Sequence, residues 1–240
     1  MRSPCEAYSE ARILAQGLLE WPEFSPRNVM DTRLIESMIA ELRSDDSAES
    51  DLRDLLAAVA ESQGAEAGEE DLEGGARFVI AYIEQVPYMM KVAWTAATNV
   101  GLETQIAGIL EMVNSYWDEG NDVIPDDLGA IGLLDDAYCS LTSLQAVSDH
   151  YRLQTGKYLF PDDLSAANRA MRKIIGEPYA SELDLLVTQS MAEARLVEAV
   201  TAMASEEKRL DLEGNHTIWS HDPAGQLDVD DLKNLGLLND

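Results

Sequence analysis

An all-α fold, a compact bundle of about eight to ten helices with a short irregular C-terminal tail, is predicted by three observations. Apolar residues recur at spacings of three and four along most of the 240 residues. No alternating apolar–polar run is long enough for a sheet, and "NHTIWSH" alone is too short to build one. Prolines and acidic residues stand where the helical patterns begin, and basic residues or glycine where they end.

The elements follow in order. Ser3-Pro4-Cys5-Glu6 forms a capping box ahead of Tyr8, Ala11, Leu14 and Leu18, with Pro22 just past the end. Ser25-Pro26 offers the next start, and Ile35, Met38, Ile39 and Leu42 its inner face. Leu52, Leu55, Leu56 and Val59 mark a third helix. "GAEAGEEDLEGG", residues 64–75, reads as a mobile acidic loop. Two buried helices, 76–86 and 87–100, are expected to meet at Pro87. Leu102, Ile106, Ile109, Leu110, Val113 and Trp117 share one stripe. A helix starting near Asp135 presents Ala137, Leu141, Leu144 and Tyr151 and stops near Gly156. Leu164, Met171, Ile174 and Ile175 belong to the next. The longest spans 181–210, opened by Ser181 and Asp184 and closed by Lys208 and Arg209, charges that suit the helix dipole. A short helix is expected around residues 230–235. The organisation is therefore 1–63 N-terminal helices, 64–75 loop, 76–210 central core and 211–240 tail, in one globular unit.

The charge balance is unusual: 45 Asp+Glu against 17 Lys+Arg, formally −28. Such a field repels nucleic-acid phosphates and anionic lipid, so direct nucleic-acid binding is not expected. A basic protein partner or a divalent cation fits it better, and high charge also serves solubility alone. Glu66, Glu69, Glu70, Asp71 and Glu73 in the 64–75 loop are the candidate partner-binding residues. The most apolar stretch, 78–97, carries Glu84, Gln85, Pro87 and Lys91, which a bilayer disfavours. No signal peptide is visible at the start of the chain, and a cytoplasmic protein without membrane association is expected. Cys5 and Cys139 have no nearby cysteine and read as free thiols of a reducing compartment.

Residues 120–138, "GNDVIPDDLGAIGLLDDAY", pack five aspartates and three glycines among aliphatics. In one reading they start and stop helices: Asp122 caps a turn begun by Pro125, Gly129 and Gly132 let the chain reverse, and Asp135 or Asp136 caps the next helix. In the other, Asp122, Asp126, Asp135 and Asp136 supply hard oxygen ligands to Mg²⁺, Mn²⁺ or Ca²⁺. Asp122-Val-Ile-Pro-Asp126, Gly132 and Asp135-Asp136 resemble the YkvA-like family, a bacterial domain of unknown function. The resemblance covers about residues 100–145 and includes the preceding helix ending in Tyr116-Trp117. It implies a helical element and no reaction. Gly120, Asp127 and Gly129 depart from the family pattern, and the extra aspartate argues against membrane association.

Outside this segment no catalytic motif occurs. His216 and His221 are five apart, not the four that aligns two ligands on a helix, and His150 follows Asp149 near a helix end. Trp94, Tyr116, Trp117 and Tyr138 flank the aspartates and read as core or as the lining of a groove. The sequence thus predicts a non-enzymatic acidic binding or regulatory protein of the immunity, antitoxin or nucleic-acid-mimic type. The alternative is a metal-dependent hydrolase using the aspartates.

Overall fold

The computed structural model describes residues 31–98, 102–118, 123–124, 126–157, 159, 163–213, 227 and 229–238. Among them are eight α-helices and no strand: α1 (Arg33–Ser44), α2 (Ala48–Ser62), α3 (Glu69–Thr98), α4 (Glu103–Ser115), α5 (Gly132–Thr155), α6 (Ser165–Ile175), α7 (Tyr179–Glu193) and α8 (Leu196–Leu212). Short 3-10 segments cover Asp126–Ile131 and Val229–Leu232. The fold class is the one the periodicity predicts. The helix expected to begin at Ser3-Pro4, Cys5, His216 and His221 lie outside the described residues.

α5 is the axis. It touches α3, α4, α6, α7, α8 and the 126–131 segment, so most of its circumference is covered. It is buried along polar as well as apolar positions, including Asp135, Asp136, Ser140, Ser143, Gln145 and Ser148. Such a helix holds its place only if each polar group finds a partner. Trp117, just past the end of α4, donates its indole N–H to Ser140 Oγ at 2.9 Å. Tyr116 and Ser143 hydroxyls lie 3.2 Å apart. Ser148 Oγ accepts the Leu159 N–H at 3.3 Å, and Gln145 Oε1 accepts the Leu164 N–H at 2.9 Å. The helix ends where expected, at Gly156 with φ 76°, a left-handed conformation that glycine adopts without strain.

Five helix boundaries differ from the sequence expectation. Pro87 lies inside the 30-residue α3 rather than between two helices. Val86, Met89, Met90 and Ala93 around it are fully buried, and burying them outweighs one lost backbone hydrogen bond. The 64–75 stretch is not all loop, because α3 begins at Glu69. Glu69, Glu70 and Asp71 stand in its first turn at the positive end of the helix dipole. α5 begins at Gly132, ahead of Asp135. The long 181–210 helix is two helices, broken at Arg195, whose φ is 51°. α7 opens at Tyr179, so Ser181 is not its cap and instead donates to Glu177 Oε2 at 2.6 Å.

The tail differs too, because it is not merely appended. Leu232, Leu235 and Leu237 are buried, and the segment packs on α3 and α6. It closes over Gly75, where a Cβ would lie 2.7 Å from Leu235 Cδ1 and 2.9 Å from Leu56 Cδ1. Of the pair of glycines that suggested a loop, Gly75 admits Leu235 of the tail and Gly74 faces Asp231. α1 is fastened to α3 by Arg43 Nε with Glu84 Oε1 and by Lys91 Nζ with Glu36 Oε1, both at 2.5 Å.

Candidate functional site

The aspartate segment meets the first turn of α5. Asp135 and Asp136 are 2 % and 6 % exposed. Asp135 Oδ2 accepts the backbone N–H of Ile124 at 3.0 Å, and its Oδ1 accepts the N–H of Asp136 at 3.0 Å. Its carboxylate is therefore a tie between the 123–124 segment and the helix, not an N-cap; Ile131 holds the cap position. Gly129 interrupts the 126–131 segment with φ 62° and ψ −126°, a reversal open to glycine, as its composition implies. Asp122 lies outside the described residues, as does the side chain of Asp126. Of the four sequence-predicted ligands, Asp135 and Asp136 share one turn, and both Asp135 oxygens are engaged by backbone. Among the described residues no group of three or more His, Cys, Asp or Glu is placed to hold a metal ion.

One turn further on, Tyr138 donates to Asp184 Oδ1 at 2.7 Å, and Arg172 Nε donates to Asp184 Oδ2 at 2.8 Å. Arg172 also donates to Glu177 Oε1 at 2.9 Å, so one guanidinium joins α6, α7 and the turn between them. The Ser181 hydroxyl and Arg172 hold the Glu177 carboxyl below its usual range. Burial, then the Asp184 carboxylate, pushes the Tyr138 phenol well up. Burial, followed by the charges of Asp135, Asp136 and Asp184, does the same to the Cys139 thiol. A protonated thiol in that setting is no nucleophile. Sequence reading missed this group, because its members stand 12 and 46 residues apart and each suits an ordinary helix face.

The acidic patch over 64–75 is partly spent on the fold. Glu69 and Glu73 pair with Arg53 at 3.2 and 3.8 Å. Asp71 accepts the Gly68 N–H at 2.9 Å and Asn234 Nδ2 at 2.8 Å, and both bonds lower its pKa. Glu66 and Glu70 remain exposed.

Two open clefts, of about 730 and 540 Å³, lie beside α1, one against the end of α4 and the other against Gly129 and Leu133. Both are lined by Leu34 and Trp117. Tyr116, Trp117 and Tyr138 are buried, as read from the sequence, and Trp94 is half-buried against the core. No helix among the described residues is long and apolar enough to cross a membrane. Comparison with protein-family models, curated proteins and solved structures finds no match.

Proposed function

We propose that this is a non-enzymatic acidic binding or regulatory protein that engages a basic protein partner, in the manner of an immunity protein, an antitoxin or a nucleic-acid mimic. The observation that carries the reading is the formal charge of −28 on a chain of 240 residues. Such a field steers cationic partners and repels phosphates. In the same reading the protein works in the cytoplasm, and residues 100–145 form a YkvA-like helical element. The engagement of both Asp135 oxygens by backbone N–H groups favours a structural role for the aspartates. The divalent-metal hydrolase using Asp122, Asp126, Asp135 and Asp136 is the second reading, supported by the burial of Asp135 and Asp136 in one turn.

The test is association with basic proteins recovered from the host, measured across a salt series. The affinity is expected to fall steeply as salt rises. Complexes indifferent to salt, or partners without cationic surfaces, overturn the reading.

A further inference from the structure

α1 carries two stripes. Ile35, Ile39 and Leu42 are buried, while Leu34, Met38, Glu41 and Asp45 follow one another at helical spacing along the cleft side. Leu34 is 51 % exposed and stands between the two clefts, lining both. Trp117, Leu42 and Leu133 form the floor beneath it. The result is a groove of two adjoining clefts, joined at Leu34 and Trp117, along a 12-residue helix of about 18 Å at 1.5 Å per residue; its apolar part is Leu34, Met38, Leu42, Trp117 and Leu133.

The groove's edges are acidic. Glu41 lines one of the two adjoining clefts on the α1 side, and Glu111 and Asp118 line the other on the α4 side. All three are exposed, and none is ion-paired among the described residues. Arg33, the basic side chain of this lining, is already held by Asp31. An apolar floor between carboxylate edges selects an occupant with the opposite pattern: an apolar stripe flanked by lysine or arginine.

We propose that the groove between α1 and α4 is the docking site for a basic amphipathic helix of a partner protein. Its apolar stripe covers Leu34 and its cations meet Glu41, Glu111 and Asp118. The proposal rests on the basic-partner reading and names the surface that serves it. The length of α1 sets the occupant at about three turns.

The probe is a labelled helical peptide of leucines and lysines, about three to four turns long, titrated at physiological salt against the full chain. A second peptide keeps the lysines and replaces leucine by serine. The leucine peptide is expected to saturate one site and to bind about tenfold or more tighter than the serine peptide. Leu34→Glu, at an exposed position that leaves the fold intact, loses that advantage, and Glu41→Gln/Glu111→Gln weakens binding. Glu193→Gln/Glu198→Gln, at exposed carboxylates outside the groove lining, leaves it unchanged, and Glu66→Gln/Glu70→Gln tests the competing acidic patch.

Equal binding by Leu34→Glu, or weakening only by the Glu66/Glu70 pair, overturns the groove while leaving the basic-partner reading standing. Absence of binding by either peptide even at low salt overturns both. A dimer that Leu34→Glu dissociates assigns the groove to a second copy. Cross-linking from Leu34→Cys to residues 1–30 assigns it to the chain's own N-terminal segment. Either result overturns the proposal.

Discussion

The indole N–H of Trp117 ends on Ser140 Oγ, 2.9 Å away, in the interior between α4 and α5. Trp117 is 2 % exposed and Ser140 fully buried, so water replaces neither partner if the other is removed. Ser140→Ala is expected to cost about 1–3 kcal/mol, the price of an orphaned buried donor. In a Trp117→Phe background, where no donor remains, the same change costs less than about 1 kcal/mol. Urea unfolding of the four proteins checks the cycle; equal costs in both backgrounds refute the bond's role.

Asp135 makes two such bonds at once. Asp135→Ala strands the Ile124 and Asp136 N–H groups and is expected to lower stability by about 2–3 kcal/mol. Added Mg²⁺, Mn²⁺ or Ca²⁺ leaves the thermal midpoint of the wild type where it is. A midpoint that climbs with ion concentration, and no longer does so in Asp126→Asn, would restore the metal reading.

Gly74 and Gly75 adjoin in α3 yet answer alanine oppositely. At Gly74 a Cβ meets Asp231 at 3.4 Å, an ordinary contact, and the gain in helix propensity of about 0.5–1 kcal/mol stands. At Gly75 the new methyl must displace the tips of Leu235 and Leu56, overpacking that costs about 1–3 kcal/mol and exceeds the gain. Gly74→Ala therefore raises the melting temperature and Gly75→Ala lowers it. The same sign for both would contradict the packing described.

Alkaline pH loosens this fold. Burial raises the phenols of Tyr82, Tyr116 and Tyr138 above their ordinary 10.0, and the Cys139 thiol above 9.0. The native state then keeps protons that the unfolded chain releases. The stability these groups supply is whole below those ordinary values and is lost as pH rises toward the folded ones. Unfolding free energy is expected to fall from about pH 9 upward, and the tyrosinate absorbance of these three phenols to appear only with unfolding. Titration of all tyrosines at their free value in the folded protein would contradict this.

What the sequence showed and what it hid divide along one line: the reach of the partner. The 102–117 stripe was legible because its apolar residues face the core at regular spacing, and Gly156 ends α5 by local conformation. Ser140, Ser143, Gln145 and Ser148 look like a solvated face, yet they are buried because Trp117, Tyr116, Leu164 and Leu159 reach them from other elements. The break at Arg195 has no glycine or proline to announce it. Pro87 announces a break that tertiary burial overrides. In the aspartate segment the glycine reversal was readable, whereas the bond from Ile124 to Asp135 spans 11 residues and was not.

The seating of Leu235 against Leu56 and Gly75 also fixes an order of events during synthesis. About 160 residues separate Gly75 from Leu235, so at cellular elongation rates the earlier pair waits on the order of ten seconds for its cover. Through that interval the nascent chain exposes a patch at Leu56 and Gly75 that only the segment around Leu235 closes. A chain cut short before Leu232 leaves the ribosome with that patch open.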